Sequence, residues 1–231
     1  MTLVGEIAAA SQLLADIVKN TKTVVDAVND GRKYLESRHP DAVPQFAALL
    51  REMRVTVVGL AEATKIVSRF RFTVEGADMD SEARRFNDYV LEQEARVIEL
   101  KQRIRDLKGS CDKIRELRDD LDRRSKSRDW AAMFGLLGDK ARQRATELAG
   151  PLSQFYADDQ RMIEAIQNAL DLSQRVLAEV EEALGPPGSA YPHNVPVAAR
   201  VLGTYANVFE QQRRELDELA LPLEEAAAAL G

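Results

Sequence analysis

The sequence predicts an all-α protein: an elongated antiparallel helical bundle with coiled-coil-like seams and about five long helices. Three observations carry this. Apolar residues recur every three to four positions through each long segment, and no segment alternates with period two over a useful length. Apolar residues make up 45% and charged residues 30% of the 231-residue chain, with few Gly and Pro, the balance of helices with one buried and one solvated face. A strict seven-residue repeat runs through the longest segment, which favours near-antiparallel, left-handed packing of its neighbours.

The first helix is expected from about Leu3 to Glu36, on a seam of Val4, Ile7, Ser11, Leu14, Val18, Thr21, Val25, Val28, Arg32 and Leu35. Gly31 weakens its last turns. "SRHPDAVP" ends it, because Pro40 cannot continue the hydrogen-bond ladder and restrains His39 before it. Pro44 suits the first turn of a second helix, with Asp41 as a cap, and Phe46, Leu50, Met53, Val57, Leu60, Thr64 and Val67 form its seam. That helix ends near Val74, before the turn "EGADMDSE". Asp80 or Ser81 is expected to cap the third helix.

The third helix is the longest. Its seam reads Val90, Gln93, Val97, Leu100, Ile104, Leu107, Cys111, Ile114, Arg118 and Leu121, with a kink expected at Gly109-Ser110. At 1.5 Å per residue it would reach ~70 Å against ~50 Å for the first two. Its distal half, with Leu107, Ile114 and Leu121, then needs cover from the fourth and fifth helices or from a partner.

A break is expected at "RRSKSRDWAAMFGLLGDKARQ", residues 123–143. The fourth helix follows from about Asp139 to Leu184, kinked or interrupted at Pro151. "GPPGSAYPHNVP" is the clearest loop. Asn194 stands near the start of a fifth helix, whose tail Pro222 bends. These elements read as one domain over residues 1–231: a core bundle to about 185, a loop at 185–196 and a C-terminal helix at 197–231.

Catalytic chemistry finds no support in the sequence. His39 and His193 both stand in Pro-containing loops and read as exposed or capping residues. No Glu-x-x-His pair, Cys/His cluster, Gly-rich phosphate loop or G-x-S-x-G elbow occurs. Adjacent acids such as Glu181-Glu182 and Asp158-Asp159 diverge on a helix and read as solvated face. Cys111, the single cysteine, falls on the third seam as a small apolar residue. A non-enzymatic protein without metal or cofactor is expected.

Net charge is −6, but residues 101–128 hold 11 basic against 6 acidic side chains and residues 139–231 hold 8 against 15. The acidic C-terminal part argues against nucleic acid as the main partner. No signal peptide and no run of about 18 uncharged apolar residues is visible, so a cytoplasmic protein is expected.

Two features can carry function. Residues 1–18 contain only Glu6 and Asp16 as charged side chains. Leu3, Val4, Ile7, Leu13, Leu14, Ile17 and Val18 thus form either a buried bundle helix or one that is released to insert into a membrane. The second is the 123–143 stretch, where Arg123, Arg124, Lys126 and Arg128 precede Trp130, Phe134 and Leu137. Charge beside a bulky apolar edge suits an anionic lipid interface, while a corner between two helices equally needs a plug, for which Trp130 and Phe134 serve.

An apolar "TLVGEIAAASQLLADIV" at the start, then "RDWAAMFGLLGDKARQRATELAGPLSQFYADDQRMI" with Leu148, Leu152 and Phe155 as L-x₃-L-x₂-F, resembles the HeLo-type and mixed-lineage kinase domain-like helical bundles of cell-death proteins over about residues 1–170. That resemblance implies a defence module that oligomerises and permeabilises membranes, recruited to the inner face of the plasma membrane, with the N-terminal helix as the inserting element. The alternative from the residues is a scaffold or adaptor bundle that docks another protein's helix, or its own copy.

Overall fold

The structure, a computed structural model, describes residues 3–73, 78–126, 128–185 and 194–231; the side chains of residues 3–4, 128–138, 156, 158 and 159 are outside that description. The described residues form seven helices packed as an all-α bundle: α1 (Leu3–Asp30), α2 (Arg32–Arg38), α3 (Ala42–Ala63), α4 (Lys65–Arg69), α5 (Met79–Lys126), α6 (Arg128–Leu184) and α7 (Val195–Leu230).

Seven helices replace the expected five because the first two are each interrupted once. At Gly31 the hydrogen-bond ladder passes through, with Gly31 N donating to Ala27 O and Leu35 N to Gly31 O. The local cause is packing: a Cβ on Gly31 would lie 2.8 Å from Cδ2 of Leu148, so α6 seats that leucine on bare backbone. At Thr64 the hydroxyl donates back to Leu60 O at 2.9 Å, a bond that competes with the ladder and bends helices.

Several expected ends move. Asp78, rather than Asp80 or Ser81, caps α5: its Oδ1 accepts Asp80 N at 3.1 Å and its carbonyl accepts Ser81 N and Glu82 N. Gly109-Ser110 leaves α5 unbroken, and α6 begins at Arg128 rather than near Asp139 and continues through Pro151. The expected break at 123–143 is therefore confined to the join of α5 and α6. Asn194 does cap α7, its Oδ1 accepting Val197 N at 3.2 Å, and α7 runs on through Pro222. Gly185 ends α6 at φ 74°, the left-handed conformation that glycine adopts without a Cβ penalty.

The chain forms two compact units. The first comprises Met1–Gln12, Thr56–Gln102 and Glu164–Glu218. In its core Ile66, Val67, Phe86, Val176, Val180 and Phe209 are buried around Phe70, whose ring meets Phe86 at 5.2 Å and Tyr89 at 5.7 Å. The Arg85 guanidinium lies 4.8 Å over the Phe70 ring. Here α3 and α5 run antiparallel: Gly59 faces Leu100, and Glu62 pairs with Arg96 at 2.8 Å. On α7, Arg213 bridges Glu210 at 2.9 Å and Asp217 at 2.6 Å. The Arg213 hydrogen bond holds the Glu210 carboxyl at about 2, well below its ordinary 4.5.

The second unit comprises Leu13–Val55, Arg103–Ile163 and Leu219–Gly231. Leu14, Leu35, Leu50, Met53, Leu107, Ile114, Leu121 and Leu152 are buried there, and Phe46 meets Phe155 at 5.7 Å. Leu107, Ile114 and Leu121 are 0% exposed, so the distal half of α5 offers no open seam. Of the two kinds of cover left open by the sequence, the chain's own residues supply it.

Candidate functional site

The N-terminal helix packs into the core. Ile7, Leu14, Ile17 and Val18 are buried, Leu13 is half-buried, and the side chains of Leu3 and Val4 are outside the described set. Thr21 satisfies its hydroxyl on Ile17 O at 3.1 Å. The low charge count that suggested a releasable helix is explained by two buried rows, since Ala10, Ile17 and Val24 are covered as well as the expected seam.

Of the basic corner, Arg123, Arg124 and Lys126 occupy the last turn of α5, where cations complement the helix dipole. Acids one turn earlier pair with all three: Arg124 with Asp120 and Lys126 with Asp122, each at 2.6 Å, and Arg123 with Asp120 at 4.0 Å. Arg123 and Lys126 are nonetheless 78% and 74% exposed. Arg128, Trp130, Phe134 and Leu137 lie on the first turns of α6, and their side chains are outside the described residues. Arg142 Nε donates to Ser125 O at 2.8 Å, which brings α6 back beside the end of α5.

His39 forms the C-cap of α2, and its Nε2 lies 3.2 Å from Asp120 Oδ2 without hydrogen-bond alignment. Burial pushes the imidazole below its ordinary value despite the opposing pull of Asp120. His193, Asp158 and Asp159 fall outside the described residues or side chains. Among the described residues no group of three or more His, Cys, Asp or Glu side chains is placed to hold a metal, and no helix is long and apolar enough to cross a membrane. Cys111 is buried on its seam.

The open chemistry lies elsewhere, on the first unit. A cleft of about 430 Å³ runs between residues 90–101 of α5 and 170–181 of α6, with Ala63 of α3 at its base. Leu100 fills the space over Gly59. Beyond it α5 lines the cleft with Val90, Gln93, Val97 and Ile98, and α6 lines it with Leu170, Ser173, Leu177 and Ala178. Val90 and Val97 are half-buried. Gln93 is 2% exposed at the cleft, and its Oε1 meets no hydrogen-bond donor among the described residues.

The mouth is apolar and polarised. Ile98 lines it and is 67% exposed, and Leu91, seven residues earlier on the same stripe, is 61% exposed. Glu94 and Lys101 line it from α5 and Glu181 from α6. Because α6 runs antiparallel to α5, Glu181 lies toward the Val90 end and Leu170 toward the Lys101 end. Along α5, Glu94 and Lys101 stand about 10 Å apart.

No protein-family model, no curated protein and no solved structure matches this chain.

Leu91 and Ile98 are the residues that reading the sequence missed. The signal was present: each follows a seam valine by one position, so Leu91 and Ile98 form a second heptad stripe beside Val90 and Val97.

Proposed function

We propose that this chain is a non-catalytic interaction module that docks a helix of a protein partner in the cleft between α5 and α6. The observation that carries the reading is the apolar cleft with Ile98 exposed in its lining and Leu91 exposed seven residues earlier on the same helix. Single exposed leucines are ordinary on protein surfaces; a heptad pair flanking a hole is half of a knobs-into-holes seam. Covering each side chain contributes about 1.5–3 kcal/mol. A photoreactive residue placed at Ile98 in the expressed chain tests this. A protein adduct that disappears when Val97→Arg fills the cleft supports the reading, and the absence of any protein adduct refutes it.

A second reading, a membrane-directed cell-death or defence effector, is favoured by the exposure of Arg123 and Lys126 and by the resemblance of residues 1–170 to HeLo-type bundles. It requires α1 to leave the core and insert. Liposome co-sedimentation and leakage with anionic lipid test it, as does killing of the expressing host with and without residues 1–18. Equal binding by wild type and by a chain with Arg123, Arg124, Lys126 and Arg128 all replaced by Glu would count against it.

A further inference from the structure

We infer that His39 is an acid-operated latch: neutral, it holds the turn between α2 and α3 against the C-terminal end of α5, and protonated, it releases that turn. The geometry is one carboxylate shared among too many cations. His39 is the C-cap of α2, and its carbonyl accepts Ala42 N at 2.9 Å where α3 begins. Its Nε2 lies 3.2 Å from Asp120 Oδ2, misaligned for a hydrogen bond and without another partner among the described residues. That same oxygen accepts Arg124 Nε at 2.6 Å, and Oδ1 of Asp120 stands 4.0 Å from Arg123. A protonated imidazole is therefore a third cation on a carboxylate that already holds two.

The groups around the imidazole offer little other relief. From α5, Asp120 favours its proton and Arg124 opposes it. On α2, Tyr34 and Arg38 stand beside the same pair. Asp41 follows two residues later in the turn, and α3 carries no charged side chain from Ala42 until Arg51. α6 reaches α2 where Leu148 meets Gly31, and its Glu147 pairs with Arg144 at 2.8 Å. Burial, with Arg124, outweighs Asp120 and holds His39 below its ordinary 6.5. The released turn, with its imidazole in water, then binds a proton more readily than the closed one. Acid favours release as pH falls from 6.5 to the closed-state value, and the bias is complete below both. Each pH unit between the two values makes release about tenfold easier. The freed turn lies beside the last turn of α5, where Arg123 and Lys126 are exposed.

Two measurements on the purified full chain test this between about pH 8 and about pH 5. One is an NMR titration of both imidazoles, told apart with His193→Gln. The other is hydrogen exchange, corrected for its intrinsic pH dependence, at the amides of His39, Ala42 and Gln45, which bond across the turn. The His39 midpoint is expected below 6.5, and the three amides lose protection in acid while those of Leu107 and Ile114 keep theirs. His39→Gln abolishes that loss. Arg124→Gln leaves Asp120 to the imidazolium, so it raises the midpoint and keeps the turn closed in acid; Asp120→Asn lowers the midpoint further. Circular dichroism checks that each variant is folded. A wild-type midpoint at or above 6.5 overturns the inference, as does turn protection that is indifferent to pH. A midpoint that neither Arg124→Gln nor Asp120→Asn moves overturns it as well, because the shared carboxylate then has no part in it.

Discussion

Whether the first half of α1 is a structural element or a releasable one turns on what its burial is worth. Ile7, Leu14, Ile17 and Val18 are all nearly inaccessible to solvent. At about 1.5–3 kcal/mol each, exposing the four together costs about 6–12 kcal/mol, comparable to the whole stability of a typical domain at about 5–15 kcal/mol. Release of α1 while the rest stays folded therefore needs a membrane or partner that supplies a comparable gain. The perturbation is Leu14→Ala, at a side chain with 0% exposure. The expected loss is about 2–5 kcal/mol for the whole fold. Urea unfolding followed by circular dichroism then shows a midpoint lower by roughly 1 M at an m near 3 kcal/mol/M. Hydrogen exchange of residues 7–18 accelerates in step with the slowest amides of the core. An unchanged midpoint, with fast exchange confined to residues 7–18, would show a helix that opens alone and would refute the reasoning.

Three further outcomes follow from single side chains. Gln212 is 1% exposed, and both its amide atoms lack partners among the described residues, so Gln212→Met is expected to stabilise the fold by about 1–3 kcal/mol, read as a rise in melting temperature; a fall would mean that the amide is bonded in solution. Gly31→Ala puts a Cβ 2.8–3.1 Å from three atoms of buried Leu148 and is expected to cost about 1–3 kcal/mol despite alanine's better helix propensity, with Leu148→Val recovering part of the loss in a double-mutant cycle. The depressed pKa of Glu210 stabilises the fold fully above its ordinary 4.5, and that contribution is lost as pH falls toward about 2. Urea midpoints of Glu210→Gln and wild type should therefore differ near neutral pH and converge between those two values; a difference independent of pH would argue that the carboxylate has no role.

Much of the fold was legible in the residues. The rows Ile7, Leu14, Val18, Val25, Val28 and Leu35 on the first segment, and Leu100, Ile104, Leu107, Cys111, Ile114 and Leu121 on the third, are buried as the periodicity implies. Caps were legible where the side chain is unique to its neighbourhood, as at Asn194. Where Asp78, Asp80 and Ser81 compete within four positions, only backbone direction chooses Asp78. The stretch at 128–138 was misjudged for a related reason. Gly135 and Gly138 each cost a helix only about 1 kcal/mol relative to alanine, too little to end one that carries no proline there.

The candidate site was the least legible part. By itself the sequence determined that the chain is helical, roughly where each helix runs, and which face of each is apolar, because these are local consequences of side-chain spacing along a 3.6-residue turn. Which apolar face stays uncovered was decided by the tertiary structure alone. From its length the distal half of α5 was the one expected to need cover, yet Leu107, Ile114 and Leu121 are buried while Leu91 and Ile98 are exposed. Periodicity reports that a face gains by leaving water; it carries no information on the size of the side chains that arrive opposite it. The wall opposite Val90 and Val97, from Leu170 to Glu181, comes from α6, some eighty residues further along the chain.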